Sequence, residues 1–141
     1  MKTRYFALIL GLAFLAIGIL GFIPTLRTVE PDMPPIDQSQ YYGLLFGLFA
    51  VNWVINALHL LFGIWGVLAY SSFSAARIYA AAVAVVFAIL TVMGLFVGFR
   101  VLFGAAPLYG NDVWLHAIIA VVAAIFASQS VTEHPGLGLR R

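Results

Sequence analysis

Asn52, Asn56 and His59 lie in one apolar stretch of this chain, and Asp112 and His116 lie in another. An unpaired polar group in hydrocarbon costs on the order of several kcal/mol, so five of them inside membrane segments must be satisfied by one another, by water or by a ligand. Carboxamide, imidazole and carboxylate groups together can share hydrogen bonds, pass protons or ligate a metal. Positions 52, 56, 59, 63 and 66 step by four, three, four and three, which puts Asn52, Asn56, His59, Gly63 and Gly66 on one helix face. The polar groove is thus continued by a glycine groove that would admit a backbone or a flat ligand. Asp112 and His116 are four apart and can pair on one face, although Asn111 or Asp112 would equally serve as a helix N-cap. Thr91, Gly94 and Gly98 share a further face, and Gly94-x-x-x-Gly98 is a small-residue motif whose simplest role is helix packing.

The elements that must position these residues follow from composition. With 64% hydrophobic and 9% charged residues and a mean hydropathy of +1.07, the chain falls outside the soluble globular range. Crossing ~30 Å of hydrocarbon takes about 20 apolar residues, and four segments qualify: 5–23, 41–70, 78–99 and 109–130. The fold class expected is an all-α membrane protein, a four-helix transmembrane bundle running up-down-up-down. The first segment follows Lys2 and Arg4 as a secretory signal would, but it lacks a small-x-small cleavage site and Pro24 follows it, so it reads as a retained span. Lys2, Arg4, Arg77, Arg140 and Arg141 fall on one side, against Arg27 and Arg100 among Glu30, Asp32, Asp37 and Asp112 on the other. The excess of Lys and Arg makes both termini cytoplasmic. All six tyrosines fall at span ends, where a phenol meets the headgroup layer.

Residues 1–130 therefore read as a single transmembrane domain, followed by a flexible cytoplasmic tail over 131–141 that holds His134. The proline-rich stretch 24–40 reads as an extended extracytoplasmic loop. A formal charge of +2 gives no reason to expect nucleic acid, and the absence of cysteine excludes disulfides, thiolate catalysis and iron–sulfur ligation. Counted inward from the cytoplasmic ends at 1.5 Å per residue, His59 lies about 12 Å deep, Asn56 about 16 Å and His116 about 18 Å. In a bundle closed in sequence order, the second and fourth spans are diagonal and roughly 11 to 14 Å apart, a gap suited to water, bridging side chains or a ligand.

No catalytic signature accompanies the seam, so the sequence locates a buried site without a reaction. The leading reading is a non-enzymatic structural or partner-binding membrane protein, held in register by an interhelical network and embedded in the lipid bilayer. A second copy of the chain or another membrane protein would be its partner. One alternative is a b-type haem protein with His59 and His116 as axial ligands, in which Gly63 and Gly66 make room for the porphyrin. Against it, the histidines differ in depth by about 6 Å at helical rise, and only Arg100 is placed to meet propionates. A second alternative is a small proton or solute channel or carrier. Zinc is disfavoured, because His59, His116 and Asp112 would have to reach one ion across a diagonal.

Two segments carry a family resemblance: Asn56-Ala57-Leu58-His59-Leu60-Leu61-Phe62-Gly63-Ile64-Trp65-Gly66, and Pro107-Leu108-Tyr109-Gly110-Asn111-Asp112-Val113-Trp114-Leu115-His116. Together they resemble the bacterial four-span membrane family catalogued as domain of unknown function 4383. The resemblance covers roughly Tyr5 to Ser130 and implies a multi-pass protein of the bacterial cytoplasmic membrane. It implies no activity, so its motif residues carry over as positions of interest.

Overall fold

Two proline-free apolar runs make the longest helices, α1 over Lys2–Leu20 and α3 over Phe73–Gly94. A computed structural model describes residues 1–129; the expected tail over 131–141 lies outside them. Helices α1 and α3 are long and apolar enough to cross a membrane. Two shorter apolar helices of 17 residues each, α2 over Trp53–Ala69 and α4 over Asn111–Ala127, complete a mostly helical chain. Asn52 and Ser72 start α2 and α3, each accepting a hydrogen bond from a backbone N–H three residues on, which satisfies a donor the helix cannot.

The segment from Tyr41 to Val51, expected as the start of a long span, is not helical. It forms a hairpin of β2 (Gly43–Leu45) and β3 (Phe49–Val51), and β1 (Arg27–Thr28) adds an antiparallel third strand with Arg27 opposite Leu45. Phe46 and Gly47 make the turn in the left-handed region, at φ 55 and 70. The physical reason is local: Phe46 and Gly47 turn the chain back in the left-handed region, and the Asn52 side chain, accepting from the Ile55 N–H, sets the true start of α2. At the other end of α3 the helix stops at Gly94. Gly98 therefore sits in a short 3-10 turn over Val97–Phe99, and the expected Gly94–Gly98 helix face does not form.

The helices pack as two hairpins, α1 along α2 and α3 along α4, while α1 and α3 touch across the middle and α2 and α4 meet least. Glycines set the first contact. A Cβ on Gly11 would lie 2.7 Å from the Val67 nitrogen and 2.9 Å from the Gly63 oxygen, and one on Gly66 would lie 2.8 Å from the Ala7 oxygen. The glycine groove of α2 is therefore filled by the α1 backbone. Gly94 does the same on the other side, where a Cβ would meet Val113 at 2.7 Å. Two arginines close the hairpins at one end: Arg4 Nε donates to the Tyr70 carbonyl at 2.6 Å and Arg77 Nε to the Ala127 carbonyl at 2.9 Å. Each meets the C-terminus of a partner helix, where the unpaired carbonyls and the helix dipole favour a cation.

Candidate functional site

Because α2 and α4 stand apart, the half of the molecule nearest the hairpin retains a cavity between them. One lobe, of about 200 Å³, is lined by Phe14 and Ile17 of α1, Ile55 and His59 of α2, Phe87 of α3, and Asp112, Leu115, His116 and Ile119 of α4. The β2–β3 hairpin roofs it. A second lobe, of about 240 Å³, lies toward α2 and α3, between Leu58 and Phe62 on one side and Val86 and Leu90 on the other. Both lobes share Ile55, His59, Phe87, Pro107 and His116.

The two imidazoles stand within a run of aromatic rings. His59 stacks on Phe14 with centroids 5.5 Å apart, Phe14 stacks on Phe87 at 5.4 Å, and Phe87 and His116 meet near-perpendicular at 5.0 Å. The Nδ1 atom of each histidine is enclosed and has no hydrogen-bond partner among the described residues. An enclosed, unpaired imidazole nitrogen is costly and normally finds a partner, and both histidines stand in an otherwise apolar wall of the cavity.

Asp112 reaches the same lobe, but its hydrogen bond is to the hairpin and not to His116: Oδ2 accepts from the Ala50 N–H at 2.9 Å. Neither Asp112 nor Asn111 caps α4. Gly110 occupies that position, and the Asn111 amide donates to the Leu48 carbonyl at 3.2 Å. The start of α4 is thereby clamped to the turn and to β3 of the hairpin. Replacing Asp112 by alanine would strand the Ala50 N–H in a buried position, with an expected loss of about 1 to 3 kcal/mol in detergent unfolding. Asp112→Asn keeps a carbonyl acceptor and should lose clearly less; equal losses would show that the Ala50 contact does not matter.

The asparagines go elsewhere. Asn52 is fully buried as the α2 cap, and its Nδ2 donates to the Gln38 carbonyl at 2.9 Å and the Ala105 carbonyl at 2.8 Å. Asn56 is also fully buried, but it faces α1: its amide fills the space where a Gly21 side chain would be, and neither Nδ2 nor Oδ1 has a partner among the described residues. The structure therefore brings His59, His116 and Asp112 together at one cavity. Asn52 stays with the loops and Asn56 with the α1–α2 contact. Gly63, Gly66 and Gly94 are at helix contacts, and nothing lies within 4 Å of a Cβ placed on Gly98.

Sequence reasoning missed the loop framework over this end. The Tyr42 hydroxyl donates to the Pro34 carbonyl at 2.8 Å, so the 2.8 Å bond between Tyr42 and Tyr109 uses the Tyr109 proton. Both phenols lie outside the helices, and burial raises the pKa of each. Asp37 and Gln38 donate their N–H groups to the Gly104 carbonyl. It also missed Phe14 and Phe87, since nothing distinguishes two among twelve phenylalanines in apolar runs. Taken together, the two lobes fall within the ~300 to 1,000 Å³ typical of small-molecule sites.

Fold and site together define a mostly helical protein with two long apolar helices and a histidine-lined cavity beneath a short hairpin. The chain belongs to the family described as Domain of unknown function (DUF4383), whose model matches residues 4–128. No curated protein and no solved structure matches it.

Proposed function

We propose that this is a non-enzymatic, four-span protein of the bacterial cytoplasmic membrane, with both termini cytoplasmic, that holds a small lipophilic ligand between its two helical hairpins. The observation that carries the reading is the inverted distribution of side chains. Ala7, Ala69, Ala76, Ala80 and Ala123 are buried, together with Gly11, Gly63 and Gly66, while Ile9, Leu12, Leu61, Leu68, Val85, Ile118 and Val121 are half-exposed or more. Water would penalise that outer surface, and lipid does not. Helices of 17 to 22 residues are about 25 to 33 Å long, which suits four crossings.

Charge supports the orientation. Lys2, Arg4 and Arg77 sit at the end away from the hairpin, and the acidic loop lies with the hairpin. Toward the cytoplasmic end the space between the helices is filled by Ala7, Ala69, Ala76, Tyr79, Ala120 and Ala123, so the cavity does not continue to that side. Holding a ligand therefore fits better than conducting one. Reporter fusions test the topology: fusions after Ser71 and at the C-terminus should report cytoplasm, and fusions near Asp37 and after Gly104 the opposite side. A C-terminus on the side of Asp37 would overturn the four-span reading.

A further inference from the structure

We propose that the cavity between α2 and α4 binds the ring of a lipid-soluble benzoquinone or benzoquinol, with its isoprenoid tail leaving between α1 and α4. The inference rests on the membrane reading above and names the ligand of the same cavity. Size comes first: an apolar cavity of about 150 Å³ accepts benzene, so a lobe of about 200 Å³ has room for one substituted ring. Shape and chemistry come next. The lobe is lined by the aromatic side chains of Phe14 and Phe87, which favour an aromatic-like ring, and it carries His59 from α2 and His116 from α4, helices on opposite sides. A neutral imidazole both donates and accepts, so two of them suit a ring that bears oxygens at opposite positions in either the quinone or the quinol form. Asp112, which uses Oδ2 for the hairpin, offers a further acceptor to a quinol hydroxyl.

Access points to the same class. Contacts between α1 and α4 are sparse, and the lobe reaches that seam at Ile17, Leu115 and Ile119, all partly exposed. The roof on the aqueous side is closed by the hairpin, with Leu45, Ala50 and Val51 buried. A ligand that enters sideways from lipid and carries a long apolar tail meets both conditions. The step proposed is binding alone.

The full chain in mild detergent is titrated with a short-tailed ubiquinone analogue, followed by tryptophan fluorescence and calorimetry. Saturable one-to-one binding is expected, weakened about tenfold or more by His59→Phe or His116→Phe, which keep an aromatic ring and remove the nitrogens. A saturated fatty alcohol should not compete. Non-saturable uptake unaffected by either substitution, or equal binding of the alcohol, would overturn the proposal. Because a variant can fail by misfolding, the unaltered protein is also labelled with a photoreactive azido-benzoquinone. Label on peptides holding Ile55–His59, Phe87 or Leu115–Ile119 is expected, and label confined to the outer face at Leu61, Ile64 and Leu68 overturns the site. Neither measurement depends on topology, so failure here and failure of the four-span reading are separately visible.

Discussion

Replacing Gly11 by valine is expected to destabilise the protein by about 3 kcal/mol or more. The atoms that a new Cβ would meet, Val67 N at 2.7 Å, Gly63 O at 2.9 Å and Gly66 C at 2.9 Å, are all backbone. No rotamer change can relieve them, so α1 and α2 must separate. A β-branched side chain adds further bulk at the closest point of approach. Separation would also remove the Phe14 ring from His59, coupling a packing change to the cavity. Gly98→Val is the matched control: nothing lies within 4 Å of its Cβ, and a change within about 0.5 kcal/mol is expected. Unfolding of both variants by titration with a denaturing detergent measures the difference. Equal stabilities would mean that the close approach of α1 and α2 is absent.

Asn52→Ala is the second large effect expected, at about 3 kcal/mol. The side chain caps α2 through Ile55 N–H, a contribution of about 1 kcal/mol, and its amide satisfies two carbonyls from separate loops, Gln38 and Ala105, each stranded at a further cost of about 1 kcal/mol or more. Asn52→Asp separates these roles. The carboxylate keeps the cap acceptor but presents an anion to two carbonyl oxygens, so it should be as damaging as alanine. If the cap alone mattered, aspartate would behave as wild type. Limited proteolysis should show the loops around Gln38 and Ala105 cut faster in both variants, alongside the stability measurement.

The contrast between these two residues shows what the sequence made legible. The helices α1 and α3 could be read from apolar runs without proline, and the glycine spacing on α2 marked a close-packed face, although not which helix fills it. The Tyr41–Val51 hairpin was hidden because its residues are as apolar as those of a span, and hydropathy does not distinguish a buried strand from a buried helix. The available signal was length, together with Gly43, Gly47 and an asparagine followed by Trp-Val-Ile. Once that hairpin exists, it takes Asp112 from His116 and makes Asn52 a cap, so one local misreading redirected two of the five polar residues. His59 and His116 were legible only as separate buried histidines, because helix rise puts them about 6 Å apart in depth and sets Asn56 nearer the level of His116. The structure instead turns Asn56 toward α1 and lines one cavity with both imidazoles.

Arg4 and Arg77 give this architecture a mechanical character. Each fastens one helical hairpin at its base, and between the hairpins that end is held by the stack of Phe6 on Phe126, with centroids 4.5 Å apart, and by the small side chains packed around Tyr79. The molecule is in effect a pair of clothes-pegs joined by the turn at Ser71 and Ser72. At the other end Asp112 and Asn111 of α4 are bonded to the segment that leads into α2. The mouth of the cavity at Ile17, Leu115 and Ile119 therefore lies between two fastened ends, as the slack middle of a seam stitched at both.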